Sequence, residues 1–196
     1  MEKKCLIING SPKTNGNTFC LINEFIENFK YSVDVVNAFD IGNKKGISSC
    51  IDCGACLKNK LCILDDDFKK LTQDDYEIIL IASPIFQSNL PGPMINIINR
   101  FNFLYNNKVG FNYSHQFTKK QAALILIGGG GSCKLLQGTS NEDLAIKQSR
   151  YIFKKLNAEL NNENIILCLN TDQISTSENL DVKLKVKEMA DRFNCV

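Results

Sequence analysis

Short, uninterrupted apolar runs alternate along this chain with stretches whose apolar residues recur every three or four positions. CLIIN at Cys5–Asn9, VDVVNAF at Val33–Phe39, EIILIA at Glu77–Ala82, AALILI at Ala122–Ile127 and IILCL at Ile165–Leu169 read as strands. The stretches between them read as helices. Leu21, Ile22, Phe25, Ile26 and Phe29 form one stripe, and Pro93, suited to a first helical turn, opens a helix carrying Met94, Ile97, Ile98, Phe101 and Leu104. A longer helix is expected from about Asn141 to Leu160, and a closing one carries Val182, Val186, Met189 and Phe193. Strands that are apolar throughout need cover on both faces, so the expected fold is α/β, a three-layer doubly wound parallel sheet.

A chain of 196 residues with 44% hydrophobic content suits one domain over residues 1–196, with no internal repeat. Two connections are too long for plain crossovers: Asp40 to Tyr76, which holds a cysteine-rich insertion at about 41–76, and Tyr105 to Lys120, which holds the single histidine, His115. The 23 basic and 21 acidic residues are interspersed, leaving a formal charge of +2, which argues against nucleic acid or an anionic membrane as partner. The apolar run near the N-terminus stops after Ile8, short of a secretory core of about 7 to 15 residues, and no stretch approaches the roughly 20 of a membrane span. A cytoplasmic protein is expected, so its nine cysteines should be reduced and a disulfide framework is disfavoured.

In a parallel sheet the loops after the strands share the carboxyl edge, where ligands bind. After the first strand comes NGSPKTNGNT, Asn9 to Thr18, which offers backbone N–H groups, hydroxyls and a helix N-terminus, a combination suited to phosphate. It is not a Walker A loop, since Gly10 and Gly16 are too far apart and Asn17 stands where lysine belongs; a G-x-G-x-x-G fingerprint is also absent. After the third strand comes SPIFQSNLPGP, and after the fourth GGGGS. Prolines fix a backbone that lines a flat slot, and glycines let main chain approach a ring. A planar ring carrying a phosphate fits these walls: flavin mononucleotide (FMN) better than a sugar phosphate, the other candidate.

The order INGSPKTNGNT, CIDCGACLKNKLCILDDD, ASPIFQSNLPGPMINIINRF, LILIGGGG resembles the flavodoxin-like NADPH-dependent FMN reductases, and particularly their iron–sulfur flavoprotein branch. The resemblance runs from about Cys5 to Gly131. It implies a five-stranded sheet in the order 2-1-3-4-5, with FMN phosphate on Ser11, Lys13, Asn15, Asn17 and Thr18. It further implies isoalloxazine contacts from Pro84, Ile85, Phe86, Gln87 and Asn89, with Gly128, Gly129, Gly130 and Gly131 approaching the ring's other side. Asn99 precedes Arg100 where the family often has Asp-Arg, a departure that bears on a helix-end ion pair and not on the flavin.

Cys50, Cys53, Cys56 and Cys62 are spaced C-x2-C-x2-C-x5-C, which matches the compact motif that iron–sulfur flavoproteins use for a [4Fe-4S] cluster. Three thiolates at x2 intervals reach three corners of a cubane, and a flexible spacer brings the fourth. The rivals are zinc, whose sites usually pair two knuckles across a longer spacer, and bare thiols, since many cluster-free FMN reductases are similar in this region. Of the remaining thiols, Cys5 and Cys168 read as core, Cys20 as part of a helix start, Cys133 as structural filler beside the glycine loop and Cys195 as exposed. His115 reads as solvated, and Asp65, Asp66 and Asp67 as a cap for a helix at Phe68–Leu71.

The expected function is an FMN-dependent oxidoreductase moving electrons from NAD(P)H or ferredoxin to a small-molecule or protein acceptor, with the cluster as a one-electron station. No side chain is assigned as a catalytic acid, base or nucleophile, and nothing distinguishes NADH from NADPH. The resemblance implies a cluster facing a neighbouring subunit's flavin, hence a homodimer or homotetramer. The alternatives are a cluster-free NAD(P)H-dependent FMN, quinone or nitro/azo reductase, and a non-enzymatic redox or zinc-thiol sensor.

Overall fold

The chain is described by a computed structural model over residues 3–42, 45–59, 62–73, 75–101, 117–134 and 138–195. Its strands are β1 (Lys4–Asn9), β2 (Ser32–Asn37), β3 (Ile78–Pro84), β4 (Lys120–Ile127) and β5 (Ala158–Cys168). Its helices are α1 (Asn17–Asn28), α2 (Ala55–Asn59), α3 (Phe68–Leu71), α4 (Gly92–Arg100), α5 (Asn141–Lys155) and α6 (Leu180–Cys195). The five strands form one sheet, all pairs parallel, in the order β2-β1-β3-β4-β5. The doubly wound parallel sheet expected from the alternating runs, in the flavodoxin-like order that the resemblance implies, is therefore the fold observed.

The reason lies in the central strands, where every residue from Ile78 to Ser83 is buried and one strand supplies two cores. Ile79 and Ile81 pack with Met94, Ile97, Phe101, Ile152 and Phe153 beneath α4 and α5, while Ile78 and Leu80 pack with Leu21, Phe25, Val186 and Met189 beneath α1 and α6. Phe68, Leu71 and Ile47, from the two stems of the cysteine-rich insertion, join the first core, and half-buried Cys56 and Cys62 pack against it.

One boundary differs from expectation. The helix expected to run to Leu160 ends at Lys155, because Asn157 takes a left-handed φ of 55° and its side-chain amide donates to the Phe117 carbonyl at 2.8 Å. Asparagine tolerates that conformation, which closes helices. Strand β5 thus starts seven residues before Ile165, at Ala158. Ala122 pairs with Leu160 and Leu124 with Ile165, so Asn161–Asn164 bulge opposite Ala123 on an edge strand, a device that discourages further pairing. Cys5 and Cys168 are buried as expected, whereas Cys133 is exposed and so is not packing filler. Leu104 and His115 lie outside the described residues. Among those described, no helix is long and apolar enough to cross a membrane.

Candidate functional site

Asn9 ends β1 and organises the loop that follows. Its Nδ2 donates to Asn37 Oδ1 at 2.9 Å and its Oδ1 accepts the Ser11 N–H at 2.9 Å. Ser11 Oγ then accepts the Lys13 N–H at 3.2 Å, so the turn is wound on side-chain acceptors. Ser11 and Thr18 are buried and Lys13 and Asn15 exposed. Gly16 caps α1 with no side-chain bond, leaving the helix's first N–H groups and positive dipole end open to an anion. Asn17 is held from behind: its Oδ1 accepts the Thr176 N–H at 3.2 Å and lies 3.1 Å from the Thr176 hydroxyl. With the oxygen engaged there, the Nδ2 donor is the end that remains for the loop.

The loop after β3 is a tight hairpin. Phe86 and Asn89 exchange both backbone hydrogen bonds, at 2.9 and 3.0 Å, and Gln87 and Ser88 between them sit at φ 49° and 67°. Glycine or asparagine usually fills such a turn, so two other residues there mark local strain at the sheet's carboxyl edge. Gln148 of α5 braces it: Nε2 donates to Asn89 Oδ1 at 3.1 Å and Oε1 accepts the Leu90 N–H at 2.8 Å. Pro84, Ile85 and Asn89 are half-buried, but Phe86 is 47% exposed, an apolar ring offered to solvent.

The glycine run after β4 meets a packing demand that its sequence did not reveal. A Cβ on Gly128 would lie 2.8 Å from Leu169 Cδ2, one on Gly129 2.6 Å from an Asp172 carboxylate oxygen, and one on Gly131 2.8 Å from Asn170 Oδ1. The run lies against the loop after β5 and is bonded to it through Asn170, Thr171 and Asp172 N–H groups on the carbonyls of Gly130, Gly128 and Gly129. At Gly130 nothing stands within 4 Å of the Cβ position.

The cysteines form a separate pocket. Cys50, Cys53, Cys56 and Cys62 line one cavity of about 220 Å³ together with Arg100. Burial first, and then the neighbouring thiols of Cys62, Cys50 and Cys53, push the Cys56 thiol above its ordinary pKa. Among the described residues, no three His, Cys, Asp or Glu side chains converge as a single metal ion requires.

Arg100 closes the pocket from the last turn of α4. Its side chain is fully buried and ion-paired through Nη1 with Asp66, whose side chain is only 2% exposed. Nη2 donates to Cys62 Sγ at 3.4 Å, and the guanidinium stacks 4.3 Å from the Phe68 ring centroid. Asp66 also accepts the Ser48 N–H at 2.9 Å and the Phe68 N–H at 3.1 Å. Burial, the largest single influence, pushes its carboxyl pKa up, but Arg100 and the two N–H groups together outweigh it and hold the pKa below the usual range. The expected cap thus resides in Asp66, while Asp65 and Asp67 pair with Lys69 and Lys70. Arg100 finds its ion-pair partner in the insertion and not at its own helix end.

Helix α4 begins beside the hairpin and ends at Arg100 in the lining of the cysteine pocket. Structure therefore gathers the residues expected around phosphate and ring at one edge and the four cysteines elsewhere. Sequence reading missed Thr176, Gln148, and the roles of Asp66 and Arg100. An uncapped helix start was the only local hint for Thr176, and mid-helix Gln148 carried none.

Comparison with known proteins brings these features together. Residues 3–141 match the family described as NADPH-dependent FMN reductase. An iron–sulfur flavoprotein of Archaeoglobus fulgidus is 26% identical over 146 residues, 72% of this chain and 62% of its own length. One of Methanosarcina thermophila is 29% identical over 113 residues, 53% of this chain and 58% of its own. The chain thus spans less than two thirds of either relative. An FMN-dependent NADH-azoreductase of Bacillus anthracis, solved with FMN, superposes with a TM-score of 0.61 at 15% identity, covering 97% of this chain and 99% of that one. An NAD(P)H:quinone oxidoreductase of Methanothermobacter marburgensis gives 0.66 at 9% identity, covering 99% and 98%. At such identities these structures speak for the fold, and it is the match across most of the sheet and all three post-strand loops that decides kinship: the chain belongs to the NADPH-dependent FMN reductase family.

Proposed function

We propose that the protein is an FMN-dependent oxidoreductase that passes electrons from NAD(P)H or ferredoxin to a small-molecule or protein acceptor by way of a [4Fe-4S] cluster on Cys50, Cys53, Cys56 and Cys62. The observation that carries this reading is the single cavity lined by all four thiols and closed by a buried guanidinium. Four soft thiolate donors suit iron–sulfur chemistry. FMN, the family's flavin, exchanges two electrons or one when bound and so joins two-electron donors to one-electron stations.

The chain's own residues hold and orient. Ser11, Lys13, Asn15, Asn17 and Thr18 take the phosphate at the uncapped start of α1. The hairpin from Pro84 to Asn89, with exposed Phe86, takes one side of the ring, and Gly128 to Gly131 the other. No side chain is asked to act as acid, base or nucleophile. The exposed Ile51 and Ile63 on the pocket's rim support a homodimer or homotetramer in which the cluster faces a partner's flavin. The free cysteines accord with a cytoplasmic setting.

The second reading, a cluster-free NAD(P)H-dependent quinone or azo reductase, draws on the likeness to such enzymes. Anaerobic purification with metal and flavin analysis decides between them. The expected result is about four irons and one FMN per chain, with a broad visible band beneath the flavin's own; exchanging the four cysteines for serine should remove the iron and leave the FMN. FMN without iron, together with NAD(P)H oxidation by a quinone, would overturn the cluster reading in favour of the second.

A further inference from the structure

The pocket's fourth cysteine touches a charge. Arg100 Nη2 donates to Cys62 Sγ at 3.4 Å, while Nη1 serves Asp66 and approaches the Ser48 carbonyl at 3.4 Å. Its Nε–H, also buried, has no hydrogen-bond partner among the described residues. A guanidinium keeps its charge at any ordinary pH, and here its side chain is fully buried. We infer that Arg100 sets the reduction potential of the group held by the four thiolates, raising it through the Cys62 sulfur, with Asp66 as the opposing charge. This inference rests on the cluster reading proposed above.

The physical reason is one of sign. Uptake of one electron, supplied by the reduced donor through the flavin, adds one negative charge beside Cys62 and makes or breaks no covalent bond. A fixed cation donating to that sulfur favours the reduced form, since hydrogen bonds to cluster sulfurs and local charge are the protein's means of tuning potential. The Asp66 carboxylate disfavours it. The two partners of one ion pair therefore act in opposite directions on the potential, although both hold the insertion to α4.

That opposition separates tuning from scaffolding. Wild type, Asp66→Asn and the charge-neutral double variant Arg100→Gln/Asp66→Asn are purified anaerobically, assayed for iron, and titrated potentiometrically by electron paramagnetic resonance, with the flavin potential read in parallel. In the double variant the reduction equilibrium should fall at least tenfold, about 59 mV for one electron. In Asp66→Asn, which keeps the guanidinium, it should rise at least threefold. The flavin equilibrium should move less than threefold in both. Unchanged cluster potentials, shifts of the same sign, or loss of iron from both variants beside a loaded wild type would each overturn the inference and leave the pair a scaffold only. A wild type devoid of iron would overturn the cluster reading itself and this inference with it.

Discussion

Thr176 stands 159 positions from Asn17, yet its buried hydroxyl and N–H decide which way the Asn17 amide faces. That makes it a positioning residue for the loop proposed to take the phosphate, without being part of it. Thr176→Val keeps the volume and removes the hydroxyl. Losing one net hydrogen bond of about 1 kcal/mol should weaken FMN binding roughly three- to tenfold in a flavin fluorescence titration. The protein should still melt cooperatively. An unmoved dissociation constant would mean that Asn17 does not serve the phosphate. Gly129 teaches a related lesson: its missing side chain makes room for the Asp172 carboxylate, a demand invisible in a run of four glycines that reads as a wall for a ring.

The hairpin between β3 and α4 combines a rigid scaffold with a strained tip. Gln87 and Ser88 both hold positive φ, where a side chain costs about 1–2 kcal/mol per residue relative to glycine. Ser88→Gly, which leaves Gln87 in place, should therefore stabilise the fold by about 1 kcal/mol, read as a rise of roughly 2–4 °C in Tm. An unchanged or lowered Tm would show that Ser88 earns its conformation through contacts that glycine lacks. The end of α5 shows how such details move boundaries. Its apolar period continues past Lys155, but Asn157 turns the chain and hands the next residues to β5.

Across the amino edge of the sheet, charges tie three strands together. Asp34 of β2 meets Lys4 of β1 at 2.9 Å and accepts from the Tyr76 hydroxyl, just before β3, at 2.9 Å. Lys4 above all, and then Tyr76, hold the Asp34 pKa below its ordinary value against the opposing pull of burial. A carboxyl depressed in the folded state contributes its full stabilisation above its unfolded value near 3.9 and loses it as pH falls through the folded value. Asp34→Asn should thus lose less stability than wild type in urea titrations below about pH 4. At pH 7 the variant should be weaker by no more than about 1 kcal/mol, since the Asp34 side chain is 45% exposed. Parallel pH profiles would refute this. For the molecule as a whole, the sequence on its own dictates whatever depends on neighbours along the chain. The apolar runs and their change of period announce the α/β alternation; Ser-Pro, Asn-Gly and the glycine run announce the loops; cysteine spacing announces a shared pocket. Folding alone decided the rest, because those interactions join segments with no local signature: Arg100 with Asp66 and Cys62, 34 and 38 residues away, Thr176 with Asn17, and Gln148 with the hairpin. A buried guanidinium beside a thiol depends on where α4 ends against the insertion, and that is a property of packing in three dimensions.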